Sequence, residues 1–402
     1  MLDAKTIEII KSTVPVLEVH GQTITKQFYE TMFKNHPELL NVFNHANQRQ
    51  GKQPTALANA VYAAAAHIDR LEEILPVVKG IAQKHRALGI LPEQYPIVGE
   101  NLLAAIKMVL GDAATDEIIE AWGQAYGVIA DVFISVEAEM YQAAEQQPGG
   151  WRGFRRFVVD RKVKESDVIT SFYLKPEDGK EIANYVPGQY ITVRVKPEGQ
   201  AFTHLRHYSL STSPGHAYYR ISVKREEAIA DKPAGIVSTY LHDAVQERDI
   251  LELSAPAGEF TLELEPSSQH PVVLISGGVG LTPMVSMLET LLEQNPAHDV
   301  VYIHAARNGS QHAMRAHIHQ LTEAHPSLRS YVVYEAPAAG ESCDKNGYID
   351  LPWLQTVADS NADFYFCGPT PFMQAVNRAL KQWGVPAERI HFEFFGPADS
   401  LD

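Results

Sequence analysis

The chain has 402 residues, 45% of them apolar and 9% aromatic, which is the composition of folded rather than disordered protein. At roughly 100–200 residues per domain this length holds about two to four domains. Lys and Arg number 34 against 49 Asp and Glu, and the formal charge of −15 repels nucleic-acid backbones and anionic membrane surfaces, leaving small molecules as the expected partners.

The two cysteines, Cys343 and Cys367, are too few for a disulfide framework or a cysteine-ligated iron–sulfur cluster. The first residues, Met1 to Thr6, show no basic region followed by an apolar segment. No stretch approaches the roughly 20 apolar residues of a bilayer span. A cytoplasmic protein without stable membrane insertion is expected.

Up to about residue 146 apolar positions recur three and four apart, with punctuation at Gly21, Pro37, Gly89 to Pro92 and Gly111, so this part reads as helical. Trp122, Tyr126, Ile129, Phe133, Val136 and Met140 step 4, 3, 4, 3, 4 and predict one buried face of a long helix. Gln146-Gln147-Pro148-Gly149-Gly150 is the best linker candidate. The period then changes to that of strands: Phe157 to Val159, Tyr190 to Val195 and Tyr219 to Val223, separated by turns such as Pro187-Gly188 and Pro214-Gly215, suggest an antiparallel barrel. From about residue 266 strands at Val272 to Ser276, Val300 to His304, Tyr331 to Tyr334 and Phe364 to Cys367 alternate with helical stretches over Met284 to Glu293 and near Met314 to Ala324, the pattern of a parallel sheet with helices on both faces.

In the helical part, Val78, Ile81, His85 and Leu88 step 3, 4, 3 and place a histidine within an apolar stripe, where a neutral imidazole could ligate iron through one nitrogen while a partner holds the other. Taken alone, such a histidine is more often an ordinary core or surface residue. Tyr95 shares a stripe with Val98, Leu102, Ile106 and Val109, and Glu137 lies one turn beyond Phe133; core aromatic and solvated helix edge are the ordinary readings of each. A carboxylate buried on such a face needs hydrogen-bond donors.

In the strand-rich part, Arg206-His207-Tyr208-Ser209 follows Pro187-Gly188-Gln189-Tyr190. Arg-x-Tyr-Ser can bind flavin, with the guanidinium on a phosphate, the ring on the flavin or ribityl chain, and the serine at the ring edge. Gly235 to Thr239, including Ser238, reads as a helix start whose free N–H groups could hold the flavin pyrophosphate, or as an N-cap and nothing more. The strand at Val272 runs into Gly277-Gly278-Val279-Gly280-Leu281-Thr282-Pro283 and then a helix, which brings backbone and helix dipole to a phosphate. Pro283 stands where a dinucleotide fingerprint has a third glycine. Cys367-Gly368-Pro369 ends a later strand. Arg307 after the second strand of this module could receive a 2′-phosphate, whereas Glu335 ending the third would prefer a ribose hydroxyl; the signals conflict, with a lean to NADH.

Over essentially its full length the chain resembles the flavohaemoglobins, through Phe28-Tyr29, Asn41 to Asn44, Asn47 to Arg49, Ile81 to His85, Glu93 to Tyr95 and Ala121 to Gly127 together with the reductase motifs above. The resemblance implies a multidomain chain: an all-α globin at 1–146, a linker at 147–151, and a ferredoxin reductase-like module made of an antiparallel β-barrel FAD domain at 152–265 and an α/β parallel-sheet NAD(P) domain at 266–402. It implies haem b, FAD and NAD(P)H as cofactors.

By the same resemblance His85 is the proximal iron ligand, and Tyr95 and Glu137 form a relay that makes its imidazole more anionic, which suits oxygen activation better than storage. Tyr29, Gln53 and Leu57 face the distal side, with hydroxyl and amide donating to an oxygen ligand, and Phe43 packs on the porphyrin. Lys84 either tunes redox potential or is a solvated helix lysine. The terminal Glu393-Phe394-Phe395-Gly396-Pro397 matches the family segment whose aromatic shields the flavin, with Thr282 and Glu393 near hydride transfer. Cys367 is a cofactor contact rather than a nucleophile, because no activating base is identifiable. The implied activity is that of a nitric oxide dioxygenase, an oxidoreductase turning nitric oxide and O2 into nitrate with electrons from NAD(P)H through FAD to haem. The rivals are an O2 or NO sensor or store with an auxiliary reductase, and a hydroperoxide or ferric reductase. A monomer is expected.

Overall fold

The computed structural model describes residues 2–43, 51–229, 232–263, 270–396 and 401, apart from the side chain of Lys52. The chain divides into two units: residues up to 154 with 194–206, and 155–193 with those from 207 onward. The last helix of the first part ends at Gln146, and the boundary expected at 265/266 lies outside the described residues.

The first unit is built on α1 (Ala4–Asn35), α2 (Lys52–Ala66), α3 (Leu75–Leu88), α4 (Tyr95–Leu110) and α5 (Asp116–Gln146). Their ends carry the expected chemistry. The Asp3 carboxylate accepts from Thr6 N–H at 2.7 Å to cap α1, and Thr115 caps α5 ahead of Asp116 and Glu117, which favour the positive end of the helix dipole. Gly89 stops α3 in the left-handed region at φ 78°. Ile10, Leu17, Ile24, Phe28 and Met32 line α1 and pack with Leu102, Ile106 and Trp122, each such side chain contributing roughly 1.5–3 kcal/mol on burial.

Two predicted stripes shift on inspection. On α3 the fully buried line is Val78, Ala82 and Arg86, so Ile81, His85 and Leu88 are only half-buried. On α5 the buried line is Ala121, Ala125, Ala130, Glu137, Tyr141 and Ala144 with Trp122, while Tyr126, Ile129, Phe133, Val136 and Met140 are half-buried. Small residues sit where backbones approach closely, and the large ones of the predicted stripe flank that line.

The second unit and the short stretch that groups with the first carry the antiparallel sheet β4-β3-β6-β1-β2-β5, made of β1 (Phe154–Lys164), β2 (Ile169–Pro176), β3 (Tyr190–Val195), β4 (His204–Ser209), β5 (Tyr219–Lys224) and β6 (Ile250–Ser254). A bridge between Leu210 and Ile221 joins its two edges, so the sheet closes into the predicted barrel. A short helix, α6 (Ile236–Asp243), follows β5. Beyond it lies a parallel sheet, order β10-β9-β8-β7-β11-β12, with β7 (Val272–Gly277), β8 (Val300–Ala306), β9 (Leu328–Tyr334), β10 (Lys345–Asn346), β11 (Asp363–Cys367) and β12 (Ile390–Glu393). Helices α7 (Leu281–Gln294), α8 (Arg315–Ala324), α9 (Leu351–Val357) and α10 (Thr370–Trp383) pack on its faces. The chain leaves β7 toward β8 and later returns to β11 on its other side, so the β7/β11 junction is the switch point at which open α/β sheets bind ligands.

Candidate functional site

His85 lies near the end of α3, Tyr95 begins α4 and Glu137 stands on the buried line of α5. Packing of these three helices brings the three side chains together. Glu137 Oε1 accepts from His85 Nδ1 at 2.7 Å and from the Tyr95 hydroxyl at 2.6 Å, and Tyr95 Oη lies 3.2 Å from the same histidine nitrogen. A carboxylate only accepts, so with Glu137 ionised the proton sits on Nδ1 and the lone pair on Nε2. The Glu137 side chain is 3% exposed and that of His85 32%, so the ring is anchored from behind and keeps accessible surface. Burial first, then the Glu137 hydrogen bond, pushes the Tyr95 hydroxyl far above its ordinary value, which keeps it a donor.

Two neighbours complete this arrangement. Phe133 lies with its ring centroid 5.9 Å from that of His85 and 6.4 Å from that of Tyr95. The Tyr126 hydroxyl donates to the Tyr95 carbonyl at 2.7 Å, and Gly99 makes room for it, since a Cβ there would stand 2.6 Å from the Tyr126 ring. Sequence reasoning had Phe133 and Tyr126 only as members of a stripe; aromatics offset from the alanine line of α5 are the signal that separates them from core.

On α1 Tyr29 is buried in an aromatic group, 4.8 Å from Phe28, 5.7 Å from Phe33 and 5.7 Å edge-on to Phe43. Gln53 and Leu57 are half-buried in the first turns of α2, where Thr25 donates to the Pro54 carbonyl at 2.8 Å and ties the start of α2 to α1 one turn before Tyr29. Leu57 and Phe43 both pack against the core of this unit. Lys84 is exposed, as a solvated helix lysine would be.

The Arg206 to Ser209 motif forms the last four residues of β4. Arg206 and Tyr208 are half-buried, His207 is exposed and Ser209 buried. His207 accepts or donates at 2.8 Å to Thr192 Oγ1 and lies 4.7 Å from the Tyr190 ring, which rests on Gly258, where a Cβ would stand 2.9 Å away. Gly235 is the N-cap of α6. The Ser238 hydroxyl turns back on this cap, donating to the Gly235 carbonyl at 3.2 Å and accepting from Glu226 N–H, so its side chain serves the turn.

The glycine loop and the Cys367-Gly368 turn meet directly. β7 and β11 pair with Ser276 beside Cys367, and a Cβ on Gly280 would stand 2.2 Å from the Cys367 carbonyl oxygen. Gly278, at φ 54°, and Val279 keep partial exposure, whereas Leu281, Thr282 and Pro283 lie inside the fold. The Thr282 hydroxyl donates to the Val279 carbonyl at 3.2 Å at the buried start of α7. Cys367 is likewise fully buried, its Sγ 3.4 Å from the Glu393 carbonyl, and burial drives its thiol well above the ordinary range. Gly368 is half-buried and Pro369 exposed. Glu393 and Phe394 are half-buried and Phe395 and Gly396 exposed, while Pro397 lies outside the described residues.

Sequence reasoning passed over one polar group. Glu289, on α7, is buried with Arg220 and His317 around it. A carboxylate four residues before Glu293 and flanked by Leu288 and Thr290 in a helix buried over its first twelve residues is the available signal. Burial alone would raise the Glu289 carboxyl, but hydrogen bonds and charge from His317, Arg220 and Thr212 hold it down at about 2.

Comparison with known proteins fits these parts. Family profiles match for Globin at residues 26–133, Oxidoreductase FAD-binding domain at 156–262 and Oxidoreductase NAD-binding domain at 274–378. The chain is 56% identical over 405 residues to a flavohemoprotein of Halalkalibacterium halodurans, covering 100% of this chain and 98% of the relative, and 52% identical over 408 residues to that of Bacillus subtilis, covering 100% and 99%. Among solved structures it resembles flavohemoglobin from Malassezia yamatoensis with bound FAD and heme, at TM-score 0.83 and 26% identity over 98% of this chain and 100% of that one. It also resembles the FAD/NAD binding domain of nitric oxide dioxygenase from Vibrio cholerae, at TM-score 0.56 and 42% identity over 61% of this chain and 100% of that one.

Proposed function

The chain belongs to the flavohaemoprotein family, and from that premise we propose that it is a nitric oxide dioxygenase, an oxidoreductase that uses haem b, FAD and NAD(P)H to turn nitric oxide and O2 into nitrate. The carrying observation is the single Glu137 oxygen shared by His85 and Tyr95, in a chain that also bears flavin and nicotinamide modules. A proximal imidazole held by a buried carboxylate is electron-rich, which serves oxygen activation rather than reversible storage.

The residues present fit each group. With Nδ1 taken by Glu137, His85 offers Nε2 and a partly accessible ring to haem iron. When bound, haem, FAD and nicotinamide supply the redox chemistry: two-electron delivery from NAD(P)H and its division into single electrons. The chain's own residues bind, orient and tune. Tyr95 and Glu137 fix the tautomer and angle of His85, while with haem bound the Tyr29 hydroxyl and Gln53 amide would offer hydrogen-bond donors to a gas ligand and Leu57 and Phe43 would limit the space around it. Lys84 and Glu393 are assigned to redox tuning.

Arg206, Tyr208 and Ser209, with His207 and Tyr190 behind them, bind FAD together with the backbone of Gly235, the cap set by Ser238, and Phe394, Phe395 and Gly396. Gly278, Val279 and Gly280 present backbone N–H groups to the nicotinamide nucleotide, Leu281 to Pro283 hold that loop from within, and Cys367, Gly368 and Pro369 form the facing wall. Arg307 and Glu335 follow the ends of neighbouring strands β8 and β9, and a carboxylate at Glu335, which would repel a 2′-phosphate, leans the reading to NADH. We assign the haem domain to 1–146, the FAD domain to 152–265 and the nucleotide domain to 266–402. The charge of −15 supports a chain that binds neither nucleic acid nor anionic membrane, a cytoplasmic monomer is proposed, and no described helix is long and apolar enough to cross a bilayer.

The test is NADH-dependent nitric oxide consumption in air by haem- and FAD-replete protein, with nitrate measured afterwards. Catalytic loss with stoichiometric nitrate is expected. Loss of a single equivalent that then stops, although flavin and haem are reducible, would overturn the dioxygenase in favour of a gas-binding role.

A further inference from the structure

The polar cluster around Glu289 links the flavin strand to the nucleotide loop. Immediately after β4, residues Ser211 to Ser213 run along one face of α7, and α7 begins at the loop of Gly278 to Gly280. Glu289 Oε2 accepts from the Thr212 hydroxyl and from the Ser213 N–H, both at 2.7 Å. Its other oxygen accepts from Arg220 Nη2 at 3.1 Å and His317 Nε2 at 2.7 Å, so barrel strand β5 and helix α8 meet at one carboxylate. Arg220 in turn donates from Nε to the Ser211 carbonyl at 3.0 Å.

The same helix face repeats the contact one turn either way. Ser286 donates to the Thr212 carbonyl at 2.6 Å and Glu293 accepts from the Ser213 hydroxyl at 2.8 Å. Tyr185 also donates to the Thr212 carbonyl, at 2.5 Å. Near the start of the barrel's inner loop Gly188, at φ 104°, lets the Met287 side chain in, where a Cβ would stand 2.7 Å from its terminal carbon.

A buried helix needs no ion pair to pack, and replacing such pairs by hydrophobic side chains is often neutral or stabilising. What a carboxylate with four directional donors adds over hydrophobic contact is register: α7 can neither slide nor rotate against residues 211–213 without breaking bonds to a buried charge. We propose that Glu289 is a positioning residue for hydride transfer, the hub that sets the nucleotide loop at the head of α7 in register with the flavin-binding end of β4. This rests on the assignment of those two segments to nicotinamide and flavin. Glu289 itself touches neither cofactor.

The experiment compares wild type, Glu289→Gln and Glu289→Ala, with His317→Ala as a milder variant that removes one donor at a partly exposed position. On FAD-replete protein, anaerobic stopped flow reads the limiting rate of flavin reduction by NADH and its primary isotope effect with NADH deuterated at the transferred position. On FAD-free protein, hydrogen exchange reads residues 211–213 and the loop at 278–280. The limiting rate is expected to fall at least tenfold in Glu289→Ala and less in Glu289→Gln, with a larger isotope effect and faster exchange at both segments. His317→Ala is expected to give a smaller change of the same kind. Variants that melt early or lose FAD, yet reduce each bound flavin at the wild-type rate and isotope effect, overturn the proposal and leave a merely structural ion cluster. Failure of the wild-type flavin to be reduced by NADH would instead overturn the cofactor assignment on which it stands.

Discussion

Glu137→Gln tests the proximal site most directly. The amide keeps the shape of the side chain and an oxygen acceptor, but removes the charge that His85 Nδ1 meets at 2.7 Å and the Tyr95 hydroxyl at 2.6 Å. A hydrogen bond to a charged group contributes roughly 1.5–3 kcal/mol against about 1 for a neutral one, so the imidazole loses about 0.5–2 kcal/mol of interaction with its anchor. Negative charge behind the imidazole favours ferric over ferrous iron, and at roughly 59 mV per 1.4 kcal/mol for one electron the haem potential should rise by about 20–85 mV. Because Glu137 is almost fully buried, water cannot replace the lost charge and the shift should persist at high salt. Spectroelectrochemical titration of haem-replete protein measures it, alongside an absorption spectrum showing that His85 still ligates. An unchanged or lowered potential with ligation intact would refute the carboxylate's role.

Two further perturbations probe the nucleotide module. Gly280→Ala puts a methyl group 2.2 Å from the Cys367 carbonyl oxygen, a backbone atom that cannot turn aside, and overpacking of this kind costs about 1–3 kcal/mol or more. NADH-driven ferricyanide reduction should fall at least tenfold while haem content stays normal; unchanged reduction would show that the β7/β11 junction does not form the site. His312 should make stability depend on pH. Burial, with some repulsion from Arg315, lowers it from 6.5 to about 4, and neighbouring His304 is pushed well down by burial and by His312. The unfolded chain therefore binds more protons between those values, so stability present above pH 6.5 is lost as pH falls toward about 4. For His312 alone the loss is roughly 3 kcal/mol. Urea unfolding should show a flatter pH dependence over this range in His312→Gln, and an identical slope would contradict it.

Much of this was legible in the amino-acid order. Change of period from 3.6 to 2 marked the end of the helical part at Gln146 and the barrel after it, since burial on one face imposes each period locally. Strand, glycine loop and helix at Val272 to Gln294 were readable for the same reason: the glycines are required where the loop presses on a neighbour within a few ångströms. His85, Tyr95 and Glu137 could be named singly, and only the family resemblance joined them.

What the order of residues determined by itself is what depends on near neighbours in the chain: helix caps, strand alternation, turn glycines and the types of side chain available for ligation. Only the tertiary structure decided which face of α3 and α5 is buried, that Thr282 and Ser238 turn their hydroxyls inward, and that Glu289 gathers Thr212, Ser213, Arg220 and His317 from three distant segments. The contacts of Glu289 join residues 28 to 77 positions apart and the 2.7 Å bond from His85 to Glu137 spans 52, and such a hydrogen bond reports nothing in sequence until packing has brought its two ends together.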